Sequence, residues 1–597
     1  MKRWKTVLIT ILCLVMAFGC LAGCNFGPVD NWDGTVDTDK DGQAWDGTED
    51  ENVTSINIFK NDWAEFNSAA QTNSPVYAKL KSVIGCDIEA RNGSSNWQEQ
   101  LGLLQSDNDL PDMFLTNGPD NPEFFSRLIR NGDIIAISDW VNAEHYPNIY
   151  KHMQEYNYIR YNLGYGQGKA WFIPSTWHNE KSMYVRQDWI DNLNAKLPWC
   201  LVQEGVIATE AECTDEVRAQ WAYKLPTDLL EFYRLARAFT LYDPDGNGQP
   251  DTRGYISESN QDFDAWVYTA FGAGWNQFVA DGNGGYTYSD ITDASMYATA
   301  YLTRLMTDGY MSPDSITADN GGKQDRFTTG KVGMIYAHNW LNNFVSGLMS
   351  VDKSLTIETA TAKIAMIDPP AGPNGDWNGH GPTYFWQGFC INANMSKSRI
   401  RKCLELYDYL LSDEGYELLQ YGVKDTHYSV DEASGKKTAM TGTNEEGFVK
   451  TIVTTDTATM LYALVDWTMH YRSTVVTNAD IIVARQTRSE AHSMLSDYPC
   501  VQTESIITYL EDCHETFLNA IVELQTNDRE RYMAKTENYN PKTFGWAQLY
   551  SPDALSNRFK SRWNTFVSEF NDNGGETFLA DYNEYVRSGR AVKATAA

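Results

Sequence analysis

At 597 residues the chain is long enough for more than one domain, each with a core of its own. Its formal charge of −31 becomes −34 once Lys2, Arg3 and Lys5 leave with the first 23 residues, which argues against nucleic acid and against lying directly on an anionic membrane. Aromatics make up 13 % of the chain, with 19 Trp and 34 Tyr, so rings can fill cores and still offer faces for stacking on sugars.

The first segment carries a positive start (Lys2, Arg3, Lys5) and a short apolar run from Val7 to Phe18, too short for a comfortable membrane span. It ends in Leu21-Ala22-Gly23-Cys24, which resembles a bacterial lipobox. That resemblance implies a signal peptide over 1–23, cleavage before Cys24, a lipid on Cys24 and an extracytoplasmic protein held at the cell surface. The competing reading is an ordinary signal peptide that happens to contain Cys. No later run reaches the roughly eighteen apolar residues of a transmembrane helix. Residues 24–51, rich in Asp, Gly and Thr, read as a flexible acidic tether.

Seven cysteines remain beyond Cys24, and three pairs share a gap of 13: Cys200/Cys213, Cys390/Cys403 and Cys500/Cys513. In an exported protein such spacing admits local disulfides, each contributing roughly 3 kcal/mol if unstrained. Chance spacing, with Cys403 as helix core, is the alternative. There is no Cys-x-x-Cys, so neither a zinc nor a redox site is suggested.

Order begins with the alternating strand Ser55–Phe59, then a helical run at 76–83, a strand near 86–90, a helix at 97–105 and a strand at 113–116. Strands alternating with helices predict parallel βαβ units in an α/β sheet, whose ligands sit beyond the carboxyl ends of the strands. Between Leu193 and Leu225 the segment of about 194–224 carries Pro198, Trp199, Cys200 and Cys213 and could be disulfide-closed. Leu225-Pro226-Thr227-Asp228 opens a helix, with Thr227 as its expected cap.

The stretch Asp243 to Tyr255, DPDGNGQPDTRGY, then spaces oxygen-bearing groups as a calcium loop does. Asp243, Asp245 and Asn247 take positions 1, 3 and 5, Gln249 offers its carbonyl at 7, Asp251 takes 9, and Gly248 stands where the loop must turn. Position 12 is Gly254, so a carboxylate from elsewhere, such as Glu258, or water would have to complete the shell. The loop reads as a structural Ca²⁺ site. An acidic turn that binds nothing is the bland alternative, since Asp, Asn, Gly and Pro favour turns anyway.

Several ordered segments resemble the extracellular solute-binding proteins of ABC importers, in the sugar-binding, large lipoprotein branch with a calcium loop. They are Asp109-Leu110-Pro111-Asp112, Gly168-Lys169-Ala170-Trp171-Phe172-Ile173-Pro174, Tyr184-Val185-Arg186-Gln187-Asp188-Trp189, the calcium-like loop, Phe327 to Met334 with Trp340, LYDYLLSDEGYELLQYG over 406–422, and Trp563 to Tyr585. The resemblance implies a two-lobed periplasmic-binding-protein-like (class II) α/β fold with a hinge. One lobe would take 52–178 completed by 386–422, the other 179–385 completed by 423–597, with about 194–224 as an insertion where the family is usually short.

It also implies an oligosaccharide held in the inter-lobe cleft and passed to an ABC permease with a separate ATPase, by a monomer with no catalytic residue of its own. Aromatic faces and fixed polar groups suit such a ligand. Candidates at strand exits are Trp63, Asn117, Trp177, His178, Arg186, Asp264, Trp266, Trp340, Trp386 and Trp467, with Asp262 beside Trp266. Arg186 could instead pair with Asp188 and serve the fold. The sequence has no HExxH, Gly-x-Ser-x-Gly or phosphate-loop motif. Carboxylate pairs from distant strands leave a surface-anchored, calcium-stabilised glycoside hydrolase or lyase as the alternative, and a surface adhesin as a third reading.

Overall fold

The computed structural model of the chain describes residues 50–594 except 62–72, 95, 117, 119–120, 164–167, 179–180, 259–263, 339, 378–384, 444–448, 527–528, 538, 551–553 and, within 470–495, all but 484, 487, 488 and 492. Trp63, Asn117, Asp262, the lipobox Cys24 and the side chain of Trp386 lie outside the described residues.

The first lobe grows from Ser55–Lys60 (β1), where Ile56 and Ile58 are buried and the residues between them are not. The helix Pro75–Ile84 follows, capped by Ser74, whose hydroxyl accepts from the Tyr77 amide, and stopped by Gly85 at φ 79°. Asp87–Asn92 (β2) then pairs in parallel with β1. A second helix, Trp97–Ser106, returns the chain to Met113–Thr116 (β3) on the other side of β1. All four β3 residues are buried, as a central strand requires. The sheet is finished by Ile173–Thr176 (β4) and by a strand from far along the chain, Phe385–Ile391 (β11), in the order β2-β1-β3-β11-β4.

The second lobe has a sheet of its own. Ser182–Arg186 (β5) and Arg253–Ile256 (β6) precede the small hairpin Phe278–Ala280 (β7) and Tyr286–Tyr288 (β8). Val332–Ala337 (β9) and Ile364–Ile367 (β10) complete the order β10-β5-β9-β6. Its pattern shows why β5 reads as a continuous apolar run: Met183 and Val185 enter one core, while Tyr184 enters another on the opposite face. Phe385–Ile391 (β11) then returns to the first lobe, antiparallel to both β3 and β4.

Four expectations need correction. The first-lobe core does not end at 422: Ala458, Leu461, Leu464 and Trp467 pack into it, and Val501 and Ile506 belong to the second core. The segment 194–224 is not disulfide-closed, since Cys200 and Cys213 are both free thiols. It is closed by Asn194, which exchanges side-chain bonds with the Tyr223 backbone, and by Glu204, which is 1 % exposed and takes both the Tyr223 hydroxyl and Arg234. Cys390, Cys403 and Cys513 are buried core thiols, and Cys513 donates to the Phe570 carbonyl. Finally, the helix Leu229–Leu241 is capped by Asp228, one residue later than expected, because its carboxylate reaches the Glu231 amide at 2.8 Å. Thr227 instead bonds Glu231 through its hydroxyl.

The helix Lys397–Leu411 buries Ile400, Cys403, Leu404, Tyr407 and Leu410, and Asp413–Tyr421 follows it. Asp50 docks on the first of them: its carboxylate accepts from the Lys397 and Ser398 amides at 3.0 Å each, so the chain enters the fold at that helix N-terminus. The closing helices Glu504–Thr526, Asn557–Phe570 and Glu576–Arg587 bury Phe517, Trp563, Phe566 and Tyr582 against the second lobe.

Candidate functional site

Strand direction locates the cleft. Thr176 ends β4 and faces Phe385, which begins β11, so the first passage between lobes (177–181) and the second (368–384) meet the first-lobe sheet at one end. In the second lobe Met183 at the start of β5 faces Ile367 at the end of β10 and Tyr336 near the end of β9. Both passages therefore also join one end of that sheet. The third departs after Met469, and Thr176 forms a bridge with Asp466 there. The first two passages meet the carboxyl ends of β1, β3, β4, β6 and β9, and the segment up to Met469 joins them at that end of the first-lobe sheet, where a ligand of such sheets belongs.

On the first-lobe side, Trp177 is half-buried and Lys181 holds its ammonium 5.9 Å from the ring centroid. His178 is partly exposed, with Nε2 3.9 Å from the buried Asp466 carboxylate. Trp467 is 6 % exposed, its ring edge-on to Tyr462, and its backbone amide donates to the Thr176 carbonyl at 2.9 Å. On the second-lobe side Trp340 is half-buried just beyond β9, with its ring 5.2 Å from His338 and 6.4 Å from Phe344. The structure thus gathers Trp177, His178 and Trp467 at one end and sets Trp340 across the passages from them.

Three candidates are placed elsewhere. Arg186 ends β5 away from the cleft, where its guanidinium makes two bonds to Asp188, at 2.8 and 2.7 Å, and lies over the Trp189 ring. This fork-to-carboxylate pairing commits it to the fold. Trp266 is fully buried among Phe232, Tyr255 and Tyr336, so no face is left for a sugar. Asp264 is also fully buried and accepts from the Tyr255 hydroxyl at 2.8 Å; burial pushes its carboxyl up to about 6.

The sequence reading missed the polar group under the second-lobe strand ends. Glu258, two residues beyond β6, is 3 % exposed and bonds the fully buried Lys323 ammonium at 3.0 Å. Burial lowers Lys323 to about 8, with Glu258 working against that shift. No local signal marks a pair 65 residues apart. The same contact corrects the proposed role of Glu258, which is turned inward and does not complete the calcium-like loop.

That loop lies at the opposite end of β6. Asp243 sits at φ 45°, and Gly246 and Gly248 at 72° and 77°, left-handed positions that suit glycine. The Asn247 amide donates to Asp245 at 2.8 Å and to Asp251 at 3.2 Å, while the Gln249 amide donates to the Asn247 oxygen. Burial and the neighbouring Asp243 carboxyl raise Asp245, as carboxylates crowded together should. Asp243 Oδ1 is buried with no hydrogen-bond partner. Crowded carboxylates and an orphaned oxygen fit a hard cation. Against this, Lys331 takes Asp251 at 2.6 Å and holds it below the usual carboxylate range. Thr252, fully buried, bonds the Phe239 carbonyl and is spent on the fold.

No protein-family model matches the chain. It is 25 % identical over 256 residues to the polygalacturonan/rhamnogalacturonan-binding protein YtcQ of Bacillus subtilis, covering 42 % of this chain and 44 % of that one. Over 232 residues it is 24 % identical to lipoprotein LipO of the same organism, covering 36 % and 43 %. The chain therefore spans less than half the length of the curated relatives it matches. The solved complex of the Streptococcus pneumoniae substrate-binding protein FusA with kestose superposes with TM-score 0.59 at 14 % identity, covering 90 % of this chain and all of that one. An EF-hand mutant of FusA with fructo-nystose gives 0.58 at 15 % identity, covering 89 % and 99 %. Among the described residues no helix is long and apolar enough to cross a membrane. The chain has the two-lobed fold of the solute-binding proteins of ABC importers and is similar in sequence to their carbohydrate-binding members.

Proposed function

We propose that this chain is an extracytoplasmic, lipid-anchored substrate-binding protein that captures an oligosaccharide between its lobes and delivers it to an ABC permease powered by a separate ATPase. The observation that supports this reading is the convergence of the first two inter-lobe passages on the carboxyl ends of both sheets, with half-buried Trp177 and Trp340 beside those ends. A ring that is half covered is already oriented, so little side-chain freedom is lost on stacking. Closure of the lobes then shifts the balance between open and closed states by the ligand's preference for the closed one. Trp63 and Asn117, which follow β1 and β3 in the chain, and Trp386 near the start of β11 are proposed as further contacts.

The anchor is Cys24, and the acidic tether leads from it to Asp50. The protein acts as a monomer. Calcium would be held at 243–251 by Asp243, Asp245, Asn247, the Gln249 carbonyl and Asp251, where it would supply positive charge and bracing. Lys331 would have to yield Asp251 to it.

Thermal unfolding of the chain lacking its signal and tether, recorded with kestose, oligogalacturonides and a wider glycan panel, tests the reading. A ligand at one hundred times its Kd raises stability by about 2.7 kcal/mol. The expected result is one responsive glycan class, no sugar products, and roughly tenfold weaker binding in Trp340→Ala, an aromatic contact of about 1.4 kcal/mol. Turnover of the glycan, or no response to any, would overturn it.

A further inference from the structure

We infer that Asp466 is a positioning residue of the hinge, tying the first inter-lobe passage to the last so that the two turn as one. This rests on the inter-lobe reading above but on no particular sugar. Thr176 is the last residue of β4 before the first passage. Its amide donates to the Val465 carbonyl at 2.8 Å, and its own carbonyl accepts from Trp467 at 2.9 Å. A short two-bond ladder therefore joins the start of one passage to the segment that leads into another. Asp466 sits between those two bonds.

Its side chain is 1 % exposed, and a carboxylate so buried has to be held by donors. Oδ1 accepts from the Thr468 amide at 2.8 Å and from its hydroxyl at 2.6 Å. Oδ2 accepts from Tyr416, a residue of the helix Asp413–Tyr421, and faces His178 Nε2 at 3.9 Å. One carboxylate thus touches the first passage (His178), the first-lobe segment that leads into the third (Thr468) and a first-lobe helix (Tyr416). The flanking residues Trp177 and Trp467 are both site candidates, so a ligand stacked on Trp177 pulls directly on this node. A rigid node at the first-lobe end confines bending to the far side of it, towards Lys181. Removing it lets each passage move separately.

The test uses the full chain without ligand. Amide hydrogen exchange reports the bonds made by the Thr176 and Trp467 amides, and small-angle X-ray scattering reports the spread of inter-lobe distances. In Asp466→Asn those two amides exchange at least tenfold faster and the distance spread widens, while amides of β1 and β3 keep wild-type protection. Tyr416→Phe and His178→Gln give smaller changes of the same kind and carry the test if Asp466→Asn does not fold. Unchanged exchange at 176 and 467, or protection lost evenly across the first-lobe sheet, overturns the assignment. Should no glycan shift the unfolding midpoint, the transport reading fails while the exchange result still decides the role of Asp466.

Discussion

Strand β6 has an ion pair beyond each end, and the two behave differently. Asp251, two residues before the strand, meets Lys331 at 2.6 Å with side chains 36 % and 48 % exposed. Glu258, two residues after it, meets Lys323 at 3.0 Å with side chains 4 % and 0 % exposed. Water screens the first pair and can take up either partner if the other is lost, so it contributes little to stability. The second has no such recourse, because a lone charge under the strand ends would stay desolvated. Distance alone would rank the exposed pair as the stronger. Burial reverses the ranking.

Breaking the buried pair tests this most severely. Lys323→Met should cost about 3–5 kcal/mol in the unfolding of the second lobe, because Glu258 is left uncompensated. Lys323→Met with Glu258→Leu should recover most of that loss. A single variant within 1 kcal/mol of wild type in denaturant titration would defeat the comparison.

Asp264, buried beside the same pair, sharpens it through pH. Its folded carboxyl lies at about 6, above the ordinary value of 3.8, so the folded state holds the proton more tightly. The associated stability is present below about pH 4 and is lost as pH rises through 6, a change of roughly 3 kcal/mol. Asp264→Asn should flatten the pH dependence of the midpoint between 4 and 6. An unchanged slope would show that other groups titrate there.

At the exposed end the effects shrink. Calcium at ten times its Kd should raise stability by about 1.4 kcal/mol. Asp251→Asn should abolish that response, which differential scanning calorimetry with and without chelator would show. The smallest change is Lys331→Met in chelator, expected within about 1 kcal/mol of wild type. A larger loss would mean that Lys331, and not a metal, holds the loop in shape.

Local pattern was a good guide wherever one face of an element had to be apolar. The strands at 55–60, 87–92 and 113–116 and the helices between them fall within a residue or two of the expected bounds, because alternation and helical period report burial directly. Arg186 shows where that guide stops. Its sequence neighbour Asp188 hinted at the pairing, but only β5's direction, fixed by its pairing with β9 and β10, puts it at the end away from the cleft. Trp266 fails for a related reason: a Trp after an acidic turn looks the same whether its ring faces a cleft or Phe232 and Tyr336. The cysteine gap of 13 carried no information, since Cys390 lies in β11 and Cys403 in the helix beyond it, both as core.

Taken alone, the sequence determined which segments would be strands and helices, the ordered motifs of a two-lobed binding protein, and an acidic loop spaced for a hard cation. These are properties of neighbours in the chain, set by periodicity, capping and turn chemistry. The first two passages converging on one end of both sheets, the burial of Glu258 with Lys323, and Asp466 joined to Thr176, Tyr416 and His178 were decided by tertiary structure. Each joins residues tens to hundreds of positions apart, and the energy of a charge or a ring depends on what surrounds it once the chain has closed.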